Sequence, residues 1–366
     1  MSTKPEFHGS DLEKIAAYYH IDQDSIVKFG ANVNPLGISD TVKADLAEHL
    51  DIISSYPDRD YVSLKETIGS YCQADPSHIV VGNGSTELIS LLISQRASKK
   101  ALVLGPTYSE YERELSITGG TMQYYNLREE DQFVLNIADL IQTIDSDPEI
   151  DLLIICNPNN PTSSAITRTD MELILAECKS RDVFVMIDET YVEFAPEVDK
   201  ITAIPLVESY DNFMVIRGLS KFFAAPGLRF GYGVTSNDAF LAMLKIHQNP
   251  WSVNSIAAYA GERMLKDTEY IKKTWNLIHS ERQRLYTLLD NTSNLKVYPA
   301  YANFILVRIL KEGVTSFDVF EAAIKEHMMI RDCSSFESLN GEYIRFCIMN
   351  PEDNDRLMKC LTSIVK

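Results

Sequence analysis

Brief, unbroken apolar runs set the rhythm of the first two-thirds of this chain. Ile79–Val81, Ala101–Leu104, Leu152–Ile155, Val183–Ile187 and Phe213–Ile216 carry no alternating polar positions, and amphipathic stretches with helical spacing separate them. A strand covered on both faces has no polar side to show. The pattern therefore predicts an α/β fold, with a mostly parallel sheet and helices on both of its faces. Helical spacing dominates residues 253–290. Apolar strands then recur near Phe304–Val307 and Tyr343–Cys347, with helical patterns near 316–327 and 352–364. That second series predicts a smaller α/β domain. The expected division is an N-terminal arm (1–38) joining the small domain, a large domain (39–250) and a C-terminal small domain (251–366). The sequence shows no repeats and no low-complexity linker.

Composition narrows the function. A chain of 366 residues can bury one large core and a smaller second one, and 45% hydrophobic with 23% charged residues is a soluble globular balance. The net charge of −18 argues against nucleic acid or an anionic membrane as partner, so an anionic substrate needs a locally basic pocket. Cys72, Cys156, Cys178, Cys333, Cys347 and Cys360 form no CxxC pair and no metal-ligand spacing with histidine. They read as reduced thiols of a cytoplasmic protein, with no metal site expected. The start Met1-Ser2-Thr3-Lys4-Pro5-Glu6 lacks the apolar core of a signal peptide, and no run approaches the ~18–20 apolar residues of a membrane span.

The candidate chemistry centres on Arg217-Gly218-Leu219-Ser220-Lys221-Phe222-Phe223-Ala224-Ala225-Pro226-Gly227-Leu228-Arg229. A lysine set among Phe222, Phe223 and Ala224 is partly desolvated, which favours its neutral amine. A neutral amine condenses with an aldehyde, and Arg229 could hold a phosphate nearby. Upstream, Cys156-Asn157-Pro158-Asn159-Asn160-Pro161-Thr162 follows one apolar strand, and Val183–Ile187 ends in Asp188-Glu189-Thr190-Tyr191. Val80-Val81-Gly82-Asn83-Gly84-Ser85-Thr86-Glu87 reads as strand, glycine turn and helix start, where free N–H groups bind a dianion.

The order Asn160, Asp188, Tyr191, Lys221, Arg229 resembles the aspartate aminotransferase-like group of pyridoxal phosphate (PLP) enzymes, fold type I, class I and II. The resemblance implies that Lys221 carries the cofactor PLP and that Asp188 faces its ring nitrogen. It further implies that Asn160 and Tyr191 donate to the ring's phenolate oxygen, while Tyr108 stacks on the ring. Gly84, Ser85, Thr86, Ser220 and Arg229 would cup its phosphate. Tyr56, in Ser54-Ser55-Tyr56-Pro57, matches a tyrosine that reaches the phosphate from a partner subunit, which implies a homodimer with shared active sites.

For the substrate, Arg345 matches the family arginine that pairs with a carboxylate, and Arg331 implies a second anion such as a phosphate. Two branches of the family are the nearest in pattern, threonine-phosphate decarboxylases and histidinol-phosphate aminotransferases. Resemblance to the first runs through His8-Gly9, Ala31-Asn32-Val33-Asn34-Pro35-Leu36-Gly37, Leu127-Arg128-Glu129-Glu130-Asp131 and Ile330-Arg331-Asp332-Cys333. Phe222-Phe223-Ala224-Ala225-Pro226-Gly227 and Pro250-Trp251-Ser252-Val253-Asn254 look more like it than like the second. That branch implies His8, Asn34 and Gly37 as substrate contacts, a small anionic amino acid as substrate and a place in cobalamin biosynthesis. Tyr108 and Tyr191 look more like the second branch. Ser10, Ser163 and Gly218 depart from the usual residues, two glycines and a hydroxyl residue respectively. The expected activity is loss of carbon dioxide from a threonine- or serine-phosphate-like substrate, with transamination as the alternative.

Overall fold

The computed structural model describes Phe7 and residues 11–366. Its larger sheet has seven strands: β1 (Ile79–Gly82), β2 (Lys100–Gly105), β3 (Thr121–Asn126), β4 (Leu152–Cys156), β5 (Phe184–Asp188), β6 (Phe213–Gly218) and β7 (Gly231–Val234). Their spatial order is β1-β7-β6-β5-β4-β2-β3. β3, β2, β4, β5 and β6 run parallel, and β7 lies antiparallel between β6 and β1. The sheet's centre is dry on both faces: every residue of β4, β5 and β6 is buried. That is why these strands read as continuous apolar runs. β7, Gly-Tyr-Gly-Val, gives no such signal, because its glycines serve close approach. A Cβ on Gly233 would lie 1.9 Å from Met214 Cε, and one on Gly231 would lie 2.5 Å from Ser85 N.

The smaller sheet contains β8 (Leu295–Val297), β9 (Phe304–Ile309), β10 (Arg331–Asp332) and β11 (Tyr343–Cys347), in the order β10-β11-β9-β8. All its pairings are antiparallel. The arm joins this sheet. Val27 forms a parallel bridge to Met328, and Cys347 N–H donates to Phe29 O at 2.8 Å. The helix Ser255–Lys266, in contrast, packs on Asp40–Glu48 and Val62–Cys72. The first residues beyond 251 therefore lie with the large sheet's helices, and the long helix Thr268–Asp290 makes the transition.

Two polar ties join the sheets. Arg282 is buried and donates to the carbonyls of Phe194 (2.8 Å) and Ala302 (2.9 Å). Glu129 accepts from Lys296 and from the Tyr298 hydroxyl. Among the described residues no helix is long and apolar enough to cross a membrane, and no cluster has the ligands for a metal ion.

Candidate active site

Parallel strands bring their C-terminal ends to one edge of the sheet, and that edge is where α/β folds place ligands. β5 ends at Asp188, flanked in register by Cys156 of β4 and Ile216 of β6. The Asp188 carboxylate is buried and well supported. Oδ1 accepts from the Thr190 N–H (2.9 Å) and hydroxyl (2.5 Å), and Oδ2 accepts from the Tyr111 hydroxyl (2.7 Å).

β6 delivers Lys221 through a turn whose hydrophobic residues, Leu219, Phe222 and Phe223, are buried. Burial, then the positive charge of Arg345, lowers the Lys221 amine to about 8. Its Nζ donates to Ala31 O at 2.9 Å. The turn is held from behind by Asn34. The Asn34 N–H donates to Lys221 O (3.0 Å), and its carboxamide donates to Phe222 O (2.7 Å) and Thr274 Oγ1 (2.8 Å).

Arg331 and Arg345 stand directly opposite each other on β10 and β11, and both are buried. Arg345 donates to Asn160 Oδ1 and, at 2.7 Å, to Gly30 O, while its Nε has no partner among the described residues. Arg331 donates to Phe7 O and, at 2.7 Å, to Ser335 Oγ. Among the described residues neither guanidinium has a carboxylate within ion-pair distance. Two buried like charges side by side are costly unless an anion joins them. Asn160, Tyr191, Lys221, Tyr108, Arg331 and Arg345 all line one cavity of about 550 Å³.

A second cup adjoins the lysine turn. The helix Gly84–Arg96 begins with Gly84 at φ +79°, and Arg229 lies across that start. A Cβ on Gly84 would lie 2.5 Å from Arg229 Nη2. Gly231 lets its strand end close on Ser85, where a Cβ would lie 2.5 Å from the backbone N, whereas a Cβ on Gly218 would make ordinary contact at 3.6 Å from the Ser85 Oγ. Burial raises the Tyr108 hydroxyl to about 12, with the charges of Glu110 and Asp188 adding to it and Arg229 opposing.

A sequence profile of the family described as aminotransferase class I and II matches residues 24–361. The chain belongs to that family. Threonine-phosphate decarboxylase of Salmonella typhimurium is 35% identical over 358 residues, covering 98% of this chain and 96% of the relative. The solved histidinol-phosphate aminotransferase of Clostridium acetobutylicum is 32% identical, with a TM-score of 0.83, covering 91% of this chain and 97% of that one. The histidinol-phosphate aminotransferase of Sinorhizobium meliloti, solved with pyridoxal-5'-phosphate, shares the fold at TM-score 0.85 and 20% identity, covering 100% and 99%.

As a member of the class I and II aminotransferases, this chain is a PLP-dependent enzyme, and family members are typically homodimers acting on amino acids. The residues present fit the cofactor. An amine biased towards its neutral form, a buried carboxylate and a glycine-lined helix start under a guanidinium meet at one edge of the sheet.

Not every expected residue reaches the cavity. Asn34 is 2% exposed and spends its carboxamide on the lysine turn and the helix Thr268–Asp290, so it buttresses Lys221 and does not face a substrate. Gly37, at φ +67°, makes a turn whose carbonyl accepts from the Tyr270 hydroxyl at 2.6 Å, also outside the cavity. Tyr56 is 81% exposed and packs tilted against Trp251, with ring centroids 4.8 Å apart, away from its own chain's cavity. His8 lies outside the described residues. Conversely, Asn32 and Ser335 line the cavity, and Tyr111 holds Asp188. Asn32 lies only two positions from Asn34, and its left-handed backbone (φ 56°) turns it to the cavity side.

Proposed function

We propose that this enzyme removes carbon dioxide from Cα of a small O-phosphorylated amino acid, L-threonine-O-3-phosphate or L-serine-O-phosphate, as a homodimer with shared active sites. The observation that carries this reading is the pair of buried guanidiniums in register on adjacent strands, with no carboxylate within ion-pair distance among the described residues, in the wall that also holds Lys221. The near full-length similarity to a threonine-phosphate decarboxylase supports it.

PLP, when bound, supplies an aldehyde that condenses with amines and a protonated ring that draws off the electron pair of whichever Cα bond breaks. The protein decides which bond that is. A bond breaks when it stands perpendicular to the ring. Arg331, braced by Ser335, would take the phosphate dianion with Arg345 beside it. In this reading Arg345, which also holds Asn160 and Gly30, would serve the phosphate beside Arg331 and would not clamp the carboxylate in the ring plane. The carboxylate is then free to stand upright and leave. Lys221 would give a proton back at Cα, suiting an amine whose pKa of about 8 lies close to working pH.

Asp188 would accept from the ring nitrogen, Asn160 and Tyr191 would face the ring oxygen, and Tyr108 would stack on the ring. Gly84, Ser85, Thr86, Ser220 and Arg229 would hold the cofactor phosphate, with Tyr56 of the partner subunit. The exposure of Tyr56 and its position on Trp251 support that last role. The large domain would carry the cofactor, and the small domain with the N-terminal arm would carry the arginines. Six unpaired thiols suit a cytoplasmic setting.

Transamination of a histidinol-phosphate-type substrate is the second reading, favoured by the two tyrosines at 108 and 191 and by the similarity to the Clostridium acetobutylicum enzyme. The test is PLP-loaded enzyme with each phosphoamino acid and no keto acid. Release of carbon dioxide is expected. No release, with conversion of the cofactor to its pyridoxamine form by histidinol phosphate, would replace decarboxylation by transamination.

A further inference from the structure

Tyr191 is buried, and its ring is fixed edge-on against Phe304 at 4.9 Å and 85°, so its hydroxyl oxygen has one place to be. What remains open is where its proton points. A phenol that donates inward tunes the site, whereas one that spends its proton on the protein does not. The groups around it answer this. Asn32 Nδ2 donates to Tyr191 Oη at 3.4 Å, a long bond of the kind catalytic groups make before a ligand closes the site. No other hydrogen bond to the Tyr191 side chain occurs among the described residues.

We infer that Asn32 is a positioning residue: by donating to Tyr191 Oη it leaves the phenol's own proton to donate into the cavity, towards the phenolic oxygen of the cofactor. This rests on the reading of Tyr191 as a donor to that ring.

Several features make Asn32 suited to the task. Its backbone sits at φ 56°, a left-handed conformation that asparagine tolerates better than most residues. Asn303 Nδ2 pins the Asn32 carbonyl at 3.1 Å, so the strand after Ala302 fixes the turn. Asn32 lines the cavity, 2% exposed, and its Oδ1 has no partner among the described residues. An amide turned the other way would place an acceptor on Tyr191 and draw its proton out of the site. Burial raises the Tyr191 hydroxyl well above its ordinary value, while Arg345 and the Asn32 contact oppose the rise. A neutral phenol with its oxygen capped by a donor is thereby left as a proton donor.

The experiment is an absorbance titration of the holoenzyme without substrate, which reads the protonation midpoint of the lysine–cofactor linkage and not turnover. Asn32→Gly accepts the left-handed backbone and deletes the side chain with its carboxamide. Asn32→Asp replaces the donor by an acceptor. Tyr191→Phe should raise the midpoint by roughly one pH unit, the loss of one hydrogen bond to a charged oxygen. Asn32→Asp should raise it about as much and Asn32→Gly by roughly half a unit. In the Tyr191→Phe background the Asn32→Gly shift should vanish and the Asn32→Asp shift should shrink. If Tyr191→Phe moves the midpoint while both Asn32 variants leave it unchanged, the inference is wrong and the tyrosine's role stands. Full Asn32 shifts in the absence of Tyr191 would also overturn it. A midpoint indifferent to Tyr191→Phe would remove the underlying reading and this inference together.

Discussion

Lys221 shows how one residue's surroundings become chemistry. The aromatic pair after it was visible in the sequence, but the charge of Arg345, 124 positions away, was not. Both push the amine down to about 8, so the protonated form dominates below that pH and the neutral form above it. Cofactor capture by the apoenzyme should therefore accelerate about tenfold per pH unit below 8 and level off above it, as stopped-flow absorbance would record. A capture rate flat from pH 6 to pH 9 would contradict the desolvated lysine. The arginines make a second prediction. Arg331→Ala should lower kcat/KM for the phosphorylated amino acid roughly 30-fold more than for unphosphorylated L-threonine, because a buried charge pair is lost. Equal losses on both substrates would take the phosphate away from Arg331. Asn34 and Asn32 mark the limit of reading residues from sequence. Both are asparagines of one turn, and only the positive φ at 32 decides which faces the cavity.

Elements matter here through their ends. The apolar runs of β4, β5 and β6 were legible because both their faces are covered, and so were the residues that follow them. β7 and β3 were not legible. β7 is half glycine, and the edge strand β3 (Thr-Met-Gln-Tyr-Tyr-Asn) has no fully buried residue. The glycines of β7 have a function in the cup. A Gly231 Cβ meets the Ser85 backbone N at 2.5 Å, and a Gly84 Cβ, on a backbone at φ +79°, meets the end of Arg229 at 2.5 Å. Gly231→Ala and Gly84→Ala should each weaken PLP binding by roughly tenfold or more in absorbance titrations of the apoenzyme.

Ser163 explains a departure noticed in the sequence. Its φ of 60° is the conformation for which glycine is usual. The serine compensates by accepting from the N–H groups of Tyr301 (3.1 Å) and Ala302 (2.9 Å), which stitches the Asn160 loop to the strand carrying Phe304. Ser163→Ala keeps the strain and loses the bonds, whereas glycine loses only the bonds. The alanine variant should be less stable than the glycine variant by about 1 kcal/mol, read as a lower thermal midpoint of the holoenzyme.

At the scale of the molecule, two sheets meet with the cofactor residues on one and the paired arginines on the other. Alternating hydrophobic runs announced the parallel sheet and the later α/β unit. They could not announce the antiparallel order of the small sheet or its bridge from Val27 to Met328, since pairing between distant segments leaves no local pattern. Assembly is the next level. Tyr56 and Trp251 are exposed together, at 81% and 41%, and a partner that buries them would complete both sites. Mixing Lys221→Ala with Tyr56→Ala protein should form hybrids with one native pair of groups at a single site, recovering more activity than Lys221→Ala alone.

The most direct measurement of the whole account follows L-threonine-O-3-phosphate through the PLP-loaded enzyme in D2O by NMR. The account predicts a product lacking the carboxyl carbon and carrying one deuterium at the former Cα, delivered from Lys221. Recovery of intact substrate with deuterium exchanged at Cα would show that the C–H bond, not the carboxylate, stands perpendicular to the ring, and would contradict it.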